Sequence, residues 1–193
     1  MAPVADVVGV LAVQGDFEKH LVAFRRCGVP DDRLRLVKTT EHLAGVDRLV
    51  LPGGESTTVG LLLQRFGLGP ALIEFAQEGK PMWGTCMGMI MMAARVEDRK
   101  QYSLGVLDVT VRRNAFGAQV HSFEVDVPFK PLDETVTGVF IRAPIVVESG
   151  PAVEVLSEYE GKVVAVRQGN LVGTSFHPEL TDDTSLHRWF LGL

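Results

Sequence analysis

Short apolar runs alternate with amphipathic stretches through the first half of the chain. The unbroken apolar run Val7–Val13 is typical of a strand buried on both faces, whereas Asp16–Cys27 carries Phe17, Leu21 and Phe24 on one helical stripe. This β-α-β-α order predicts a mostly parallel sheet covered by helices on both faces. The same patterns predict strands at Arg33–Val37, Asp47–Leu51 and Pro81–Gly84, a helical turn at Glu41–Ala44, and helices ending near Phe66 and spanning Pro70–Gln77 and Met87–Arg95.

The second half of the chain is rich in strand-like segments and poor in helix. The pairs Glu160-Gly161 and Gly169-Asn170 suit hairpin turns. We therefore expect an antiparallel extension that returns to the parallel sheet near Phe176 and is followed by a last helix at Thr184–Leu191. The strand-like segments are Leu104–Arg112, Val120–Val127, Gly138–Arg142, Ala152–Tyr159, Lys162–Arg167 and Leu171–Phe176.

Composition narrows the class of protein. With 193 residues and 46% hydrophobic content, we expect residues 1–193 to form one domain with a full core. The net charge of −5 and the lack of a lysine or arginine block argue against a nucleic-acid partner. The run Val7–Val13 is too short to span a membrane and has no basic segment before it, so no membrane role and a cytoplasmic location are expected.

The first candidate for chemistry is the thiol of Cys86, which falls between a predicted strand and a predicted helix. Glycines at positions 84 and 88 allow a tight turn that would leave Cys86 strained and exposed at the end of the strand. The positive end of the following helix favours a thiolate, and the Met87 amide is placed to donate to a developing oxyanion. The alternative is a buried core cysteine, but two flanking glycines have little packing rationale.

A histidine and a carboxylate follow far downstream in His177-Pro178-Glu179. Extended backbone directs residues two apart to the same side, and the proline favours that geometry at His177. The imidazole would carry the thiol proton and Glu179 would orient it. The pattern His-x-Glu is weak alone, and it gains weight only beside the cysteine turn.

The remaining histidines show no metal-ligand spacing, so neither a metal nor a cofactor is implied. We interpret them as surface or core-edge residues; they are His20, His42, His121 and His187.

A glycine-rich loop, Pro52-Gly53-Gly54-Glu55-Ser56, follows a predicted strand and precedes a helix. Paired glycines let backbone amides approach a ligand and line an oxyanion hole, although an ordinary helix cap explains the loop equally well. It lacks Gly-Lys-Ser/Thr, so it is not a nucleotide phosphate loop. Arg113 and Arg142 are candidates for binding a carboxylate through their planar donor forks.

Taken together, these segments closely resemble a known family, the glutaminase subunits of pyridoxal 5′-phosphate synthase. These subunits are class I, triad-type glutamine amidotransferases, and the resemblance covers nearly the whole chain. The cysteine turn and His-Pro-Glu mark the superfamily, and the motifs Pro-Gly-Gly-Glu-Ser-Thr-Thr, Arg-Asn-x-Phe-Gly and Phe-Ile-Arg-Ala-Pro mark the subfamily. The matching segments are Val10–Gly15, Leu51–Thr58, Gly84–Gly88, Arg113–Gly117, Gly138–Pro144 and Ser175–Thr181.

The resemblance implies a three-layer α/β/α, flavodoxin-like fold and the hydrolysis of L-glutamine to L-glutamate and ammonia. Cys86 would be the nucleophile, His177 the proton shuttle and Glu179 its orienting partner. The ammonia would pass to a (β/α)8 synthase subunit in a hetero-oligomeric complex, and Gln14 and Gly15 would lie near that partner. Backbone amides near Gly54 and Met87 would form the oxyanion hole, and glutamine would contact Gly54, Glu55, Ser56, Arg113, Ile141 and Arg142.

One position departs from the family pattern, because Met87 stands where alanine usually follows the nucleophile. Three alternatives stay open beside the main interpretation. The chain could serve another synthase, such as the one that makes imidazole glycerol phosphate, although the segments around Arg113 and Arg142 favour vitamin B6 synthesis. It could instead be a cysteine hydrolase or stress-response protein of the same broad fold, or a silent interaction module.

Overall fold

In the computed structural model, which describes residues 6–97, 100–116 and 122–193, strands from both halves of the chain share one ten-stranded sheet. The strands are β1 (Val8–Leu11), β2 (Leu34–Val37), β3 (Arg48–Leu51), β4 (Met82–Thr85), β5 (Ala93–Val96), β6 (Leu107–Arg112), β7 (Ser122–Phe129), β8 (Glu134–Ile141), β9 (Ile145–Ser149), β10 (Glu154–Tyr159), β11 (Lys162–Gln168) and β12 (Leu171–Thr174). The helices are α1 (Phe17–Arg26), α2 (Ser56–Arg65), α3 (Leu68–Gln77), α4 (Met87–Met92) and α5 (Ser185–Phe190), with single 3₁₀ turns at Asp31–Arg33, Thr40–Leu43, Lys130–Leu132 and Pro178–Leu180.

The first half forms the predicted parallel sheet, in the order β2-β1-β3-β4, followed by β12 parallel to β4. Residues on β3 alternate between two hydrophobic cores. Leu49 and Leu51 belong to the core that contains residues of α2, α3 and α4, and Val50 belongs to the core that contains residues of α1 and α5. Helices therefore cover both faces of the sheet, and the three-layer α/β/α prediction is confirmed.

The antiparallel extension is also confirmed, although its details differ from the prediction. Strand β11 lies antiparallel to β12, and β9, β6 and β5 continue the sheet to its edge. Strands β7 and β8 form a separate two-stranded sheet. The predicted strand Val120–Val127 begins at a position outside the described residues, and the observed strand runs to Phe129.

Two predicted elements need correction, and one observed strand was not predicted. The helix predicted to Arg95 ends at Met92, because Ala93–Val96 pairs with β6 as an edge strand and Arg95 Nε donates to Thr110 Oγ1 at 3.0 Å. Strand β8 starts at Glu134 rather than Gly138, where its polar first residues pair with β7. The strand Ile145–Ser149 was not predicted, since only its first three residues are apolar.

Within the described ranges, no single helix is long and apolar enough to cross a membrane. Helices α2 and α3 reach the length and apolar composition of a membrane span only when they are taken together, and the chain bends by 97° between them. Their apolar residues Leu63, Leu72 and Phe75 are buried in the hydrophobic core of the protein.

Candidate active site

Cys86 lies in a sharp turn between β4 and α4. Its backbone has φ 50° and ψ −106°, a conformation that L-residues rarely adopt. The turn brings position 88 against β3 so closely that a Cβ there would overlap the Leu51 carbonyl oxygen, which explains the glycine. The Cys86 amide donates to the Thr174 carbonyl at 2.7 Å, and Sγ lies 3.8 Å from the Ile141 carbonyl oxygen. The predicted strain at the cysteine turn is confirmed, but the predicted exposure of Cys86 is wrong, because the residue is only 7% exposed.

His177 reaches Cys86 because β12, which ends just before it, is the neighbour of β4. The His177 amide donates to the Val139 carbonyl at 2.8 Å, and its Nδ1 lies 2.7 Å from Glu179 Oε1. Burial alone would lower the pKa of His177, but hydrogen bonds and charge attraction with Cys86 and Glu179 raise it to about 10. The site therefore favours a charged imidazole beside the sulfur.

The glycine loop between β3 and α2 packs directly on this imidazole. A Cβ at Gly53 would overlap Cε1 of His177, so only glycine fits there. The loop is held from the other side, where Gln14 Oε1 accepts from the Glu55 amide at 3.0 Å and the Asp16 amide donates to the Gly53 carbonyl at 3.2 Å. Gln14 and Gly15 thus contact the loop itself.

The side chain of Glu55 serves the helix rather than the pocket. Its carboxylate accepts from the Thr57 amide at 3.0 Å and from the Thr58 amide at 2.7 Å, which caps the N-terminus of α2. Desolvation opposes ionisation, but these hydrogen bonds lower the pKa of Glu55 to about 2. Arg113 Nη2 lies 3.7 Å from the same carboxylate.

The predicted residues converge on one cleft around Cys86. A cavity of about 330 Å³ is lined by Gln14, Gly15, Gly54, Glu55, Cys86, Ile141, Arg142 and His177, among others. A smaller pocket shares Cys86 with it and is lined by Gly54, Glu55, Ser56, Cys86, Met87, Arg113, Ile141 and Arg142, among others. Glu179, which is 4% exposed, lies behind the imidazole.

This constellation agrees with a family comparison. The family model of the SNO glutamine amidotransferases matches residues 10–192. The chain belongs to the SNO glutamine amidotransferase family.

Individual relatives of this amidotransferase match nearly its whole length. It is 50% identical over 186 residues to the pyridoxal 5′-phosphate synthase subunit PdxT of Geobacillus thermodenitrificans, covering 96% of this chain and 94% of that protein. It is 48% identical over 186 residues to the PdxT subunit of Niallia circulans, covering 96% of each. A crystal structure of a glutamine amidotransferase superposes with a TM-score of 0.91 at 46% identity, over 96% of this chain and 97% of that one.

Two features of the amidotransferase site were missed in the sequence. Gln101 bridges the predicted glutamine-binding residues, since its Oε1 accepts from Arg113 Nη1 at 3.2 Å and Ser56 Oγ at 3.4 Å. The interpretation of His20 and His187 as surface or core-edge residues is wrong, because both are 0% exposed.

The sequence signal that could have predicted the burial of these two histidines was their position beside apolar helix residues. His20 directly precedes the apolar stripe residue Leu21, and His187 follows Leu186 on the last helix. His42 is exposed, as predicted, and His121 lies outside the described residues, as does Gly117 of the arginine-bearing segment.

Proposed function

We propose that this amidotransferase hydrolyses L-glutamine to L-glutamate and ammonia and delivers the ammonia to a (β/α)8 synthase subunit that makes pyridoxal 5′-phosphate. The observation that carries the proposal is the placement of Cys86 and His177 together in the cleft, with Glu179 hydrogen-bonded to the imidazole from behind. The similarity to PdxT subunits of pyridoxal 5′-phosphate synthase supports the synthase assignment.

In the proposed mechanism, Cys86 attacks the side-chain carbonyl carbon of glutamine. Nδ1 of His177 is hydrogen-bonded to Glu179, so the proton that the thiol gives up is held on Nε2, and the imidazole is already charged when the sulfur attacks. The same proton then goes to the leaving nitrogen as the C–N bond breaks, which releases ammonia and leaves a thioester. Water, deprotonated by His177, attacks the thioester and frees glutamate and the thiol.

The tetrahedral intermediate needs donors for its oxyanion. We assign this role to the backbone amides of Gly54 and Met87. Met87 is the first residue of α4, where an N–H has no acceptor inside the helix, and Gly54 lines the cleft beside Cys86. Because the donors are backbone groups, the methionine side chain at position 87 does not remove one.

The rim of the cleft is proposed to hold the amino-acid end of glutamine. Arg113 and Arg142 line it and supply positive charge for the α-carboxylate. Gly54, Glu55, Ser56 and Ile141 shape the remaining contacts. Glu55 would contact glutamine through its backbone, because its carboxylate caps α2.

The assembly is proposed to be a cytoplasmic hetero-oligomer in which Gln14 and Gly15 face the synthase subunit. Both residues line the cleft beside the glycine loop, so a partner seated there would also fix the loop. We also propose that residues 1–193 act as one glutaminase domain without a metal or cofactor of its own. Support for one domain comes from the sheet, which joins strands of both halves.

The test is pyridoxal 5′-phosphate formation by the complex with the synthase subunit, using either glutamine or an ammonium salt as nitrogen source. We expect Cys86→Ala to abolish glutamine-dependent synthesis and to leave ammonium-dependent synthesis intact. Full glutamine-dependent synthesis by the variant would reject the proposal. If wild type hydrolyses glutamine but supports no synthesis with this partner, the imidazole glycerol phosphate alternative becomes the next to test.

A further inference from the structure

Behind the proposed triad lies a buried pair of histidines that the mechanism above does not use. His20 on α1 and His187 on α5 are both 0% exposed, and His20 Nδ1 lies 3.0 Å from His187 Nε2. The other nitrogen of His20, Nε2, lies 3.5 Å from Glu179 Oε2 and 3.3 Å from Thr85 Oγ1. The carboxylate of Glu179 is therefore placed between two imidazoles, with His177 at Oε1 and His20 at Oε2.

Both histidines are neutral at pH 7. Burial is the main cause that lowers the pKa of His20 well below 6.5, and burial lowers the pKa of His187 to about 3. No group of three His, Cys, Asp or Glu side chains among the described residues is arranged to hold a metal ion. The two histidines are therefore joined by a hydrogen bond. Because each ring is neutral, each carries a single N–H.

The contacts determine where these protons sit. Nδ1 of His187 is buried and has no hydrogen-bond partner among the described residues. A proton on this nitrogen would therefore be a buried donor without an acceptor, which is unfavourable. The His187 proton therefore belongs on Nε2, where it is donated to His20 Nδ1. His20 must then carry its own proton on Nε2, where the two acceptors are Thr85 Oγ1 at 3.3 Å and Glu179 Oε2 at 3.5 Å. The opposite arrangement would aim a nitrogen lone pair at the carboxylate.

We propose that His20 is a positioning residue of the glutaminase site, whose Nε2–H, fixed in that tautomer by His187, holds the Glu179 carboxylate toward His177. This inference rests on the proposed function. Among the described residues Glu179 Oε2 is buried and makes no hydrogen bond shorter than its 3.5 Å contact with His20 Nε2, so this N–H is the donor placed to hold it. Without His20, the carboxylate would lose one of its two anchors and would orient His177 less well.

The first test compares His20→Gln with His20→Asn. The glutamine amide nitrogen occupies the place of the histidine Nε2, whereas the asparagine nitrogen occupies the place of Nδ1. In the complex with the synthase subunit, we expect His20→Asn to lower kcat for glutamine hydrolysis about ten-fold. We expect His20→Gln to recover most of that loss, with KM for glutamine nearly unchanged in both because His20 does not line the cleft.

Two controls separate positioning from stability. Leu21→Ala removes a buried neighbour on the same helix, and we expect it to lower the melting temperature with kcat nearly unchanged. Ammonium-dependent synthesis should stay at the wild-type level in the His20 variants. Equal kcat for the two variants, or a loss in KM instead of kcat, would overturn the proposal.

The second test does not depend on activity. In the full chain labelled with ¹⁵N-histidine, nitrogen chemical shifts distinguish the two tautomers. We expect both His20 and His187 to be neutral and protonated on Nε2 at pH 7, and an Nδ1–H tautomer for His20 would refute the arrangement. Failure of the wild-type complex to hydrolyse glutamine would instead count against the proposed function.

Discussion

At Cys86 the backbone holds a conformation that costs about 1–3 kcal/mol for a residue with a side chain. The structure keeps this conformation through a hydrogen bond from the Cys86 amide to the Thr174 carbonyl. It also needs glycines at 84 and 88, where any side chain would overlap backbone atoms. The result is a thiol placed at the floor of the cleft, close to the imidazole of His177. This arrangement connects the local strain to the proposed chemistry.

Met87 tests whether the residue after the nucleophile acts through its backbone. Its side chain is 1% exposed and belongs to the core around α4. We expect Met87→Ala to lower the free energy of unfolding by about 2–4 kcal/mol through the cavity it leaves. Below the melting temperature, kcat for glutamine should stay within about two-fold, because the amide donor is retained. A large loss of kcat without loss of stability would show that the side chain itself contributes.

At the scale of elements, the start of α2 links the fold to the cleft. The Glu55 carboxylate caps this helix while the preceding glycines contact His177, so the helix cap fixes the end of the glycine loop. Burial opposes the charge on Glu55, but the capping bonds lower its pKa to about 2, compared with 4.5 in the unfolded chain.

Glu55→Gln should therefore weaken the cap by about 1 kcal/mol at pH 7. Because the folded pKa is depressed, the advantage of the wild type is present above pH 4.5 and is lost as the pH falls toward 2. Urea unfolding of both proteins from pH 7 to pH 2.5 measures this. A difference in stability that does not shrink in acid would contradict the capping role of the charge.

At the scale of the whole molecule, three buried histidines give the stability a dependence on pH with two opposite slopes. His20 and His187 have lowered pKa values when folded, so the stability that they allow at neutral pH is lost as the pH falls below about 6.5. His177 has a raised pKa, so its contribution is present below 6.5 and is lost as the pH rises toward 10.

We therefore expect the urea midpoint to be higher near neutral pH than at pH 5 or pH 9. His187→Phe should show a flatter acid limb than wild type, because one fewer buried imidazole must be protonated on unfolding. The loss in wild type is about 1.4 kcal/mol per pH unit for each proton taken up. An acid limb of equal slope in the variant would show that His187 is not buried in its neutral form.

The sequence was sufficient where a local pattern matched the tertiary structure. Continuous apolar strands such as Val8–Leu11 and the glycine-flanked Cys86 were predictable, because burial on both faces and a tight turn each leave a local signal. Strand Ala93–Val96 was not predictable, since its pairing partner β6 overrides the helical pattern before it.

The two buried histidines show the same limit in the site. No sequence feature near His20 predicts its pairing with His187, which lies 167 positions away. Neither histidine has metal-ligand spacing. Their pairing arises only when α1 and α5 pack on the same face of the sheet. The bridge from Gln101 to Arg113 and Ser56 likewise depends on tertiary placement.

The central claim is that Cys86 attacks the side-chain amide of glutamine. The most direct measurement is labelling of the complex with the diazoketone analogue of glutamine, in which a diazomethyl ketone replaces the side-chain amide and alkylates the attacking thiol with loss of N₂. Cys27, a second buried free cysteine, is the internal control. Peptide mass spectrometry should find the adduct on Cys86 alone, and excess L-glutamine should prevent it. An adduct on Cys27, or labelling of Cys86 that glutamine does not suppress, would contradict the account.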